Sequence, residues 1–162
     1  EIWVLSNETN IGLPASLNRA IRRVRSPFWV RVDGDDFVSR NFLLYLHGFV
    51  SQNSHMDAVA CDYNLVDDGG VLIRRVNCME NPIGCGIIFR TDDIVDVGLY
   101  DEHFLRQEER DLRIRFLKKH TIHRLEMPLY RYRRHDGNIT NDRDGMAHHK
   151  EALVRKHGPD AV

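Results

Sequence analysis

Phe28-Trp29-Val30-Arg31-Val32-Asp33-Gly34-Asp35-Asp36 is the stretch from which the fold is read. A short apolar strand runs straight into three carboxylates set around a glycine. In an open α/β sheet such a turn lies at the carboxyl edge of the strands, where ligands bind. Upstream, residues 13–25 put Leu13, Leu17, Ala20, Ile21 and Val24 on one helical face, with Pro14 in the first turn, where proline is tolerated. Downstream, Ser39 reads as the N-cap of a helix that buries Phe42, Leu43, Leu46, Phe49 and Val50. Residues 1–5 (Glu-Ile-Trp-Val-Leu) read as a further strand, and a chain that opens on a strand without an initiator Met is expected to be a piece of a longer one. Strand, helix, strand, helix is the pattern of an α/β domain with a largely parallel sheet.

The second half changes character. Ala58 to Val66 and residues 71–77 flank Asp67-Asp68-Gly69-Gly70, a hairpin signal. Residues 86–90 form a strand that leads into a short helix capped by Thr91 and ended by Gly98. Residues 108–118 are predicted helical with Leu112, Phe116 and Leu117 inward, and residues 121–134 extended with a break at Pro128. A polar loop from Asp136 to Asp142 precedes a last helix over about 144–157. No linker divides the 162 residues, which read as one domain with a helical tail over 141–162.

Composition narrows the function classes. The formal charge is −1, from 23 basic and 24 acidic residues, so the basic excess of a general nucleic-acid binder is missing. The longest uncharged stretch, residues 41–56, is broken by His47, Gly48, Ser51, Gln52 and Asn53 and falls short of the roughly 18 apolar residues of a membrane span. Cys61, Cys78 and Cys85 match neither a disulfide framework nor a zinc motif, which predicts a reducing, cytoplasmic setting and buried, apolar thiols.

Chemistry concentrates in three places. Asp33, Asp35 and Asp36 repel one another unless a cation or donor sits among them, and a hard divalent ion, Mg²⁺ or Mn²⁺, is the economical answer. The same residues are also those that a solvated turn prefers. Glu108-Glu109-Arg110-Asp111 opens the 108–118 helix, where acids suit the helix dipole and where one of them is a candidate general base. His135 is a candidate neutral ligand if its segment folds back against the aspartates. His120 with His123, and His148-His149 with Glu151, read as surface groups.

Taken in order, these segments resemble the later part of the glycosyltransferase family 2 domain, a GT-A fold. The matching residues are Asn10-Ile11-Gly12 with Asn18, the Asp33-Gly34-Asp35-Asp36 "DxD" turn, Gly84-Cys85-Gly86, Gly98-Leu99-Tyr100-Asp101-Glu102, Glu108-Glu109-Arg110-Asp111-Leu112 with Arg115, and Pro128 through His135. The resemblance spans residues 1 to about 140. It implies a mostly parallel sheet with flanking helices and a smaller antiparallel part, and a metal-dependent, inverting transfer of sugar from a nucleotide-sugar donor. On this chain Asn10, Asp33, Asp35 and the Gly84-Cys85-Gly86 loop would meet the donor, with Arg134 on its phosphates. Asp35 or Asp36, joined by His135, would hold Mn²⁺ or Mg²⁺. Glu109 occupies the position of the family's catalytic Asp, with Glu108 and Asp111 as alternatives.

The donor implied is a UDP-, GDP- or dTDP-sugar, and the acceptor a saccharide or lipid-linked molecule of cell-surface polysaccharide synthesis, at the inner face of the membrane without a transmembrane segment. The family's first strand–helix unit has no counterpart in these residues, which predicts an exposed sheet edge. Two other readings stay open: a nucleotidyltransferase, and a non-catalytic sugar-nucleotide-binding or scaffold domain. Donor turnover against binding without turnover separates the last from an enzyme.

Overall fold

The computed structural model describes residues 2–138 and 141–159. Glu1, residues 139–140 of the expected polar loop and the end of the tail at 160–162 lie outside the described residues. In chain order the elements are α1 (Leu13–Ile21), β1 (Phe28–Val30), β2 (Phe37–Val38), α2 (Phe42–Gln52), β3 (Ala58–Val66), β4 (Leu72–Val76), β5 (Ile87–Arg90), α3 (Thr91–Asp96), α4 (Glu108–Phe116), β6 (Ile122–Arg133) and α5 (Arg143–His157).

The strands form one mixed sheet in the order β1-β5-β3-β6-β2, with β4 also on β3. The expectation of a mostly parallel sheet is corrected here. Only β3 and β6 pair in parallel, while β1–β5, β2–β6, β3–β4 and β3–β5 are antiparallel. Connection length decides this. A parallel return needs a long crossover, and residues 67–121, with β4, β5, α3 and α4, supply one between β3 and β6. β4 instead returns through the expected hairpin, where Gly70 takes φ +81° and Asp67 accepts from Gly70 N and Val71 N.

β3 is the hub. One of its edges is shared, with Ala58–Ala60 on β5 and Tyr63–Val66 on β4, while β6 lines the other edge along its whole length. A strand covered on both sides reads as a continuous buried run, and Ala58 to Tyr63 are all buried. Between the pairs Cys61↔Leu125 and Tyr63↔Tyr130, β6 carries Glu126 to Leu129 opposite the single residue Asp62. This bulge sits at Pro128, which has no N–H to give the ladder. Asp62, 1% exposed at its side chain, holds the bulge through Arg124 at 2.7 Å and Arg75 at 2.8 Å. Arg75 also donates to the Glu126 carbonyl, at 2.7 Å.

The helices differ from expectation in their margins. Ile2 to Leu5 form no strand, because they find no ladder partner among the described residues, and Ile2, Trp3 and Val4 are exposed. β2, unforeseen in the sequence, exists because Phe37 and Val38 pair with Arg131 and Tyr130. α2 starts at Phe42 after Asn41 and seats Phe42, Leu46 and Val50 against the sheet. Leu43, about 100° around the helix from Phe42, is exposed, and so is Phe49, against expectation. α4 stops at Phe116, so Leu117 is exposed rather than inward. Buried Asn18 locks α1 to the segment after α3, donating to the Tyr100 carbonyl and accepting from Tyr100 N, both at 2.9 Å. No helix of the described residues is long and apolar enough to cross a membrane.

The Arg124 guanidinium, with Arg75, holds the Asp62 carboxyl well below the usual carboxylate range. A depressed folded pKa contributes stability that is present above the unfolded value, near 3.9, and is lost as pH falls toward the folded one. Asp62→Ala should therefore cost about 3 kcal/mol at pH 7 and flatten the loss of stability below pH 4, as read from urea midpoints across pH.

Candidate functional site

Beyond the C-terminal end of β1 the chain bends into a pocket of about 390 Å³. Its walls bring together the acidic turn (Asp33 to Asp36), the Gly84-Cys85 loop before β5, and the start of α4 with Gln107, Glu108 and Glu109. Three stretches distant in sequence thus share one cavity, at the sheet edge where the first strand and its acids placed the chemistry.

Arg31 holds these walls together. Buried to 8% exposure, it reaches Asp33 with two bonds, Nε to Oδ1 at 2.7 Å and Nη2 to Oδ2 at 3.0 Å, and Glu108 with Nη1 at 3.0 Å. A planar guanidinium suits this bidentate-plus-one task. Gly84 packs beside it. A Cβ there would stand 2.9 Å from Arg31 Nη1 and 3.0 Å from Glu109 Cβ, so no side chain fits. Gly86, at φ +71°, lies against Cys61 and Tyr130, and Cys85 is a buried thiol whose pKa burial pushes up, so it stays protonated.

The aspartates of the turn have different surroundings. Asp36 is engaged at both oxygens, taking the Tyr130 hydroxyl at 2.7 Å and Arg133 N at 2.8 Å. The same Tyr130 oxygen accepts from Asp33 N at 3.2 Å, and Arg133 Nε donates to the Asp35 carbonyl at 2.7 Å. Asp35 is the exposed member, with a side chain 42% accessible, and its Oδ2 lies 2.9 Å from His135 Nε2. That bond to His135 lowers the Asp35 carboxyl below its ordinary range, while burial raises that of Asp36.

Of the acids on α4, Glu108 is neutralised by Arg31. Glu109 is pushed up to about 7, chiefly by burial and then by the charge of Glu108. Asp111, fully buried, faces elsewhere and is bound by Arg115, Lys156 and His157 at 2.6–2.8 Å, which fastens α5 to α4. Gln107, just before them, is held in the left-handed region at φ 60°, uncommon for a residue with a side chain. Its Nε2 donates to the Met146 carbonyl at 2.7 Å, tying α5 to the pocket mouth.

Five sequence candidates lie outside the pocket wall: Asn10, Gly86, Asp111, Arg134 and His135, the last of which reaches it through Asp35. Asn10 is exposed and its Oδ1 accepts from Gly12 N, shaping the entry to α1. Arg134 is exposed and joins the sheet through its backbone N on Val66 O, and it is Arg133 that grips the turn. Missed altogether were Arg31, Tyr130 as a hydroxyl bridge, and Arg106, which lines the pocket with a buried Nε lacking a hydrogen-bond partner. The signal for Arg31 was present, a lone charge inside an apolar strand.

At the pocket, two donor sets among the described residues are available for a divalent cation. Asp33, Asp36 and Cys85 offer atoms within 4.8 Å of one another. However, Asp33 is neutralised by Arg31, Asp36 is occupied, and a protonated thiol suits a hard cation poorly. Asp35 and His135 fit better, since an exposed carboxylate and an imidazole 2.9 Å apart can share one ion beside the pocket.

No protein-family model matches the chain, and no curated protein matches it. Solved structures do. Residues 1–349 of S. aureus TarS superpose at a TM-score of 0.64 and 17% identity over 94% of this chain. The same region in complex with UDP gives 0.63 at 17%. A further TarS structure gives 0.62 at 20% over 79% of this chain. This chain spans 55% of the length of the 1–349 structures and 25% of the other. The likeness is one of fold, and it supports a glycosyltransferase-like architecture.

Arg31→Met keeps the volume but leaves two carboxylates in the pocket wall without their cation, which should cost about 3–5 kcal/mol. Adding Glu108→Gln removes one stranded charge and should restore part of that loss. Urea unfolding of the single and double variants measures both, and a double variant no more stable than Arg31→Met would sink the assignment.

Proposed function

We propose that the pocket binds a nucleotide-sugar and that the chain, or the longer protein containing it, transfers the sugar to an acceptor hydroxyl. The observation that carries this reading is that Asp35, exposed and paired with His135, and the raised, largely buried Glu109 carboxylate line one cavity of about 390 Å³. The fold likeness to a protein solved in complex with UDP supports a nucleotide as the donor's handle.

In this reading Glu109 is the base. A carboxylate with a pKa near 7 is about half ionised at neutral pH and accepts a proton far more readily than an ordinary one. It takes the proton of the acceptor hydroxyl while that oxygen bonds the anomeric carbon from the face opposite the leaving group, inverting it. The bond from that carbon to the diphosphate oxygen breaks with its electron pair staying on the diphosphate. Glu108 is taken up by its ion pair with Arg31, so the role passes to the neighbour. Arg106, with its unpartnered Nε, faces the pocket as a diphosphate contact. Asp35 and His135 would hold Mn²⁺ or Mg²⁺, which when bound supplies charge neutralisation to a departing diphosphate. An acceptor from cell-surface glycan synthesis, saccharide or lipid-linked, and action at the inner membrane face follow by family analogy alone.

The reading of a domain that binds without transfer draws on the engagement of Asp33 and Asp36 by Arg31, Tyr130 and Arg133. Calorimetry and a donor-turnover assay separate the two. UDP, GDP and dTDP are titrated with and without Mn²⁺, and Asp35→Asn should weaken the Mn²⁺-dependent binding at least tenfold. Glu109→Gln should leave that binding intact and lower transfer by 10² or more. A variant that turns over donor at the wild-type rate would place the base elsewhere, and binding with no turnover in any form would favour the second reading.

Because Glu109 must be ionised to act, kcat/KM should rise as pH passes through about 7. The same raised pKa is a stability term: the protonated form that the folded state prefers is lost as pH rises from the ordinary carboxylate range through about 7. The drop in Tm between pH 5.5 and pH 8.5 should therefore shrink in Glu109→Gln, a readout that needs no substrate.

A further inference from the structure

At the opposite end of the sheet, three segments meet: Asp57 just before β3, Asp93 in α3, and His120 in the turn between α4 and β6. One ligand atom from each lies within 4.8 Å of the other two. Asp57 is oriented by Thr121, whose N and Oγ1 donate to Oδ2 at 2.7 and 3.0 Å. Its other oxygen, Oδ1, stands 3.8 Å from His120 Nδ1. The second ring nitrogen, Nε2, is 3.6 Å from Asp96 Oδ2, which Lys119 holds at 2.8 Å.

These separations are too long for hydrogen bonds, which end near 3.2 Å. They match two donors bound to one ion, since ligands about 2 Å from a metal stand roughly 3–4 Å apart. An independent observation points the same way. Asp93 Oδ2 and His120 Nε2 are sealed from solvent and have no hydrogen-bond partner. Polar atoms left so are costly and rare in folded chains.

We propose that Asp57, Asp93 and His120 form a second metal site, for a first-row divalent ion with Zn²⁺ as the best match, at which the ion pins α3 and the α4–β6 turn to the start of β3. An imidazole with two carboxylates is a donor set that Zn²⁺ accepts, with water completing the shell. The supporting shell is already in place. A ligating carboxylate is commonly itself hydrogen-bonded, and Asp57 is so held by Thr121. The site is independent of the pocket and of the reading given to it.

The test uses the full chain with Asp35→Asn and His135→Asn, so that the pocket's own donors are gone. ZnCl₂ titrated by calorimetry should bind at one equivalent, and saturating zinc should raise Tm by roughly 5–10 °C at a hundredfold excess over Kd. In that background Asp93→Asn or His120→Gln should weaken binding at least tenfold, while His148→Ala with His149→Ala should not change it. Asp93→Asn is isosteric and removes a buried charge, so its zinc-free Tm should be no lower than the parent's, which keeps folding and binding distinguishable. Absence of stoichiometric binding, or binding indifferent to both Asp93→Asn and His120→Gln, overturns the proposal.

Discussion

One buried guanidinium decides what the acids of this molecule can do. Without Arg31, the carboxylates of Asp33, Glu108 and Glu109 would share the pocket wall with no cation among them. With it, Asp33 and Glu108 are paired and spent on structure. What remains free divides cleanly: Asp35, exposed and paired with His135, at the mouth, and Glu109, desolvated and raised, in the wall. A cluster of like carboxylates becomes a set of groups with different proton affinities, which is the condition under which neighbouring acids take different roles.

The sequence displayed the motifs but not their partners. The acidic turn, the Gly84–Gly86 loop and the start of α4 were legible as three separate features, and their meeting in one cavity follows from the strand order. Which aspartate would be exposed was not legible, because that depends on Tyr130 and Arg133, about a hundred residues away, reaching back to Asp36. That Arg133 and not Arg134 reaches the turn was illegible for a similar reason. In an extended strand neighbours point to opposite faces, and the bulge opposite Asp62 resets that phase. Asp111 looked like a third acid of one group. It sits on the helix face that meets α5, where Lys156 and His157 wait for it.

Fold class followed the same division. Before Val50 α1, β1 and α2 were legible, while the strand expected at residues 1–5 does not form and β2 was not foreseen, and the pattern was extended to a sheet whose later strands lie antiparallel. Local patterns report which residues pair with the core. They do not report direction, which belongs to the loops and to what they must span. Apolar Ile2 to Leu5 and Leu43 make the same point, since hydrophobicity marks a residue that would gain by being covered and does not supply the cover.

The pairing of β3 with β6 also has a temporal side. Ala58 and Ile122, partners in its register, are separated by more than a third of the chain, and the partners of Asp35 and Asp36, from Tyr130 to His135, arrive on β6 or just after it. As the chain leaves the ribosome the turn is therefore made early, with Arg31 at hand for Asp33 alone. Its other two aspartates wait for residues made about a hundred positions later. Bringing those residues back closes a long loop, a cost that the pairing of β6 with β2 and β3 offsets.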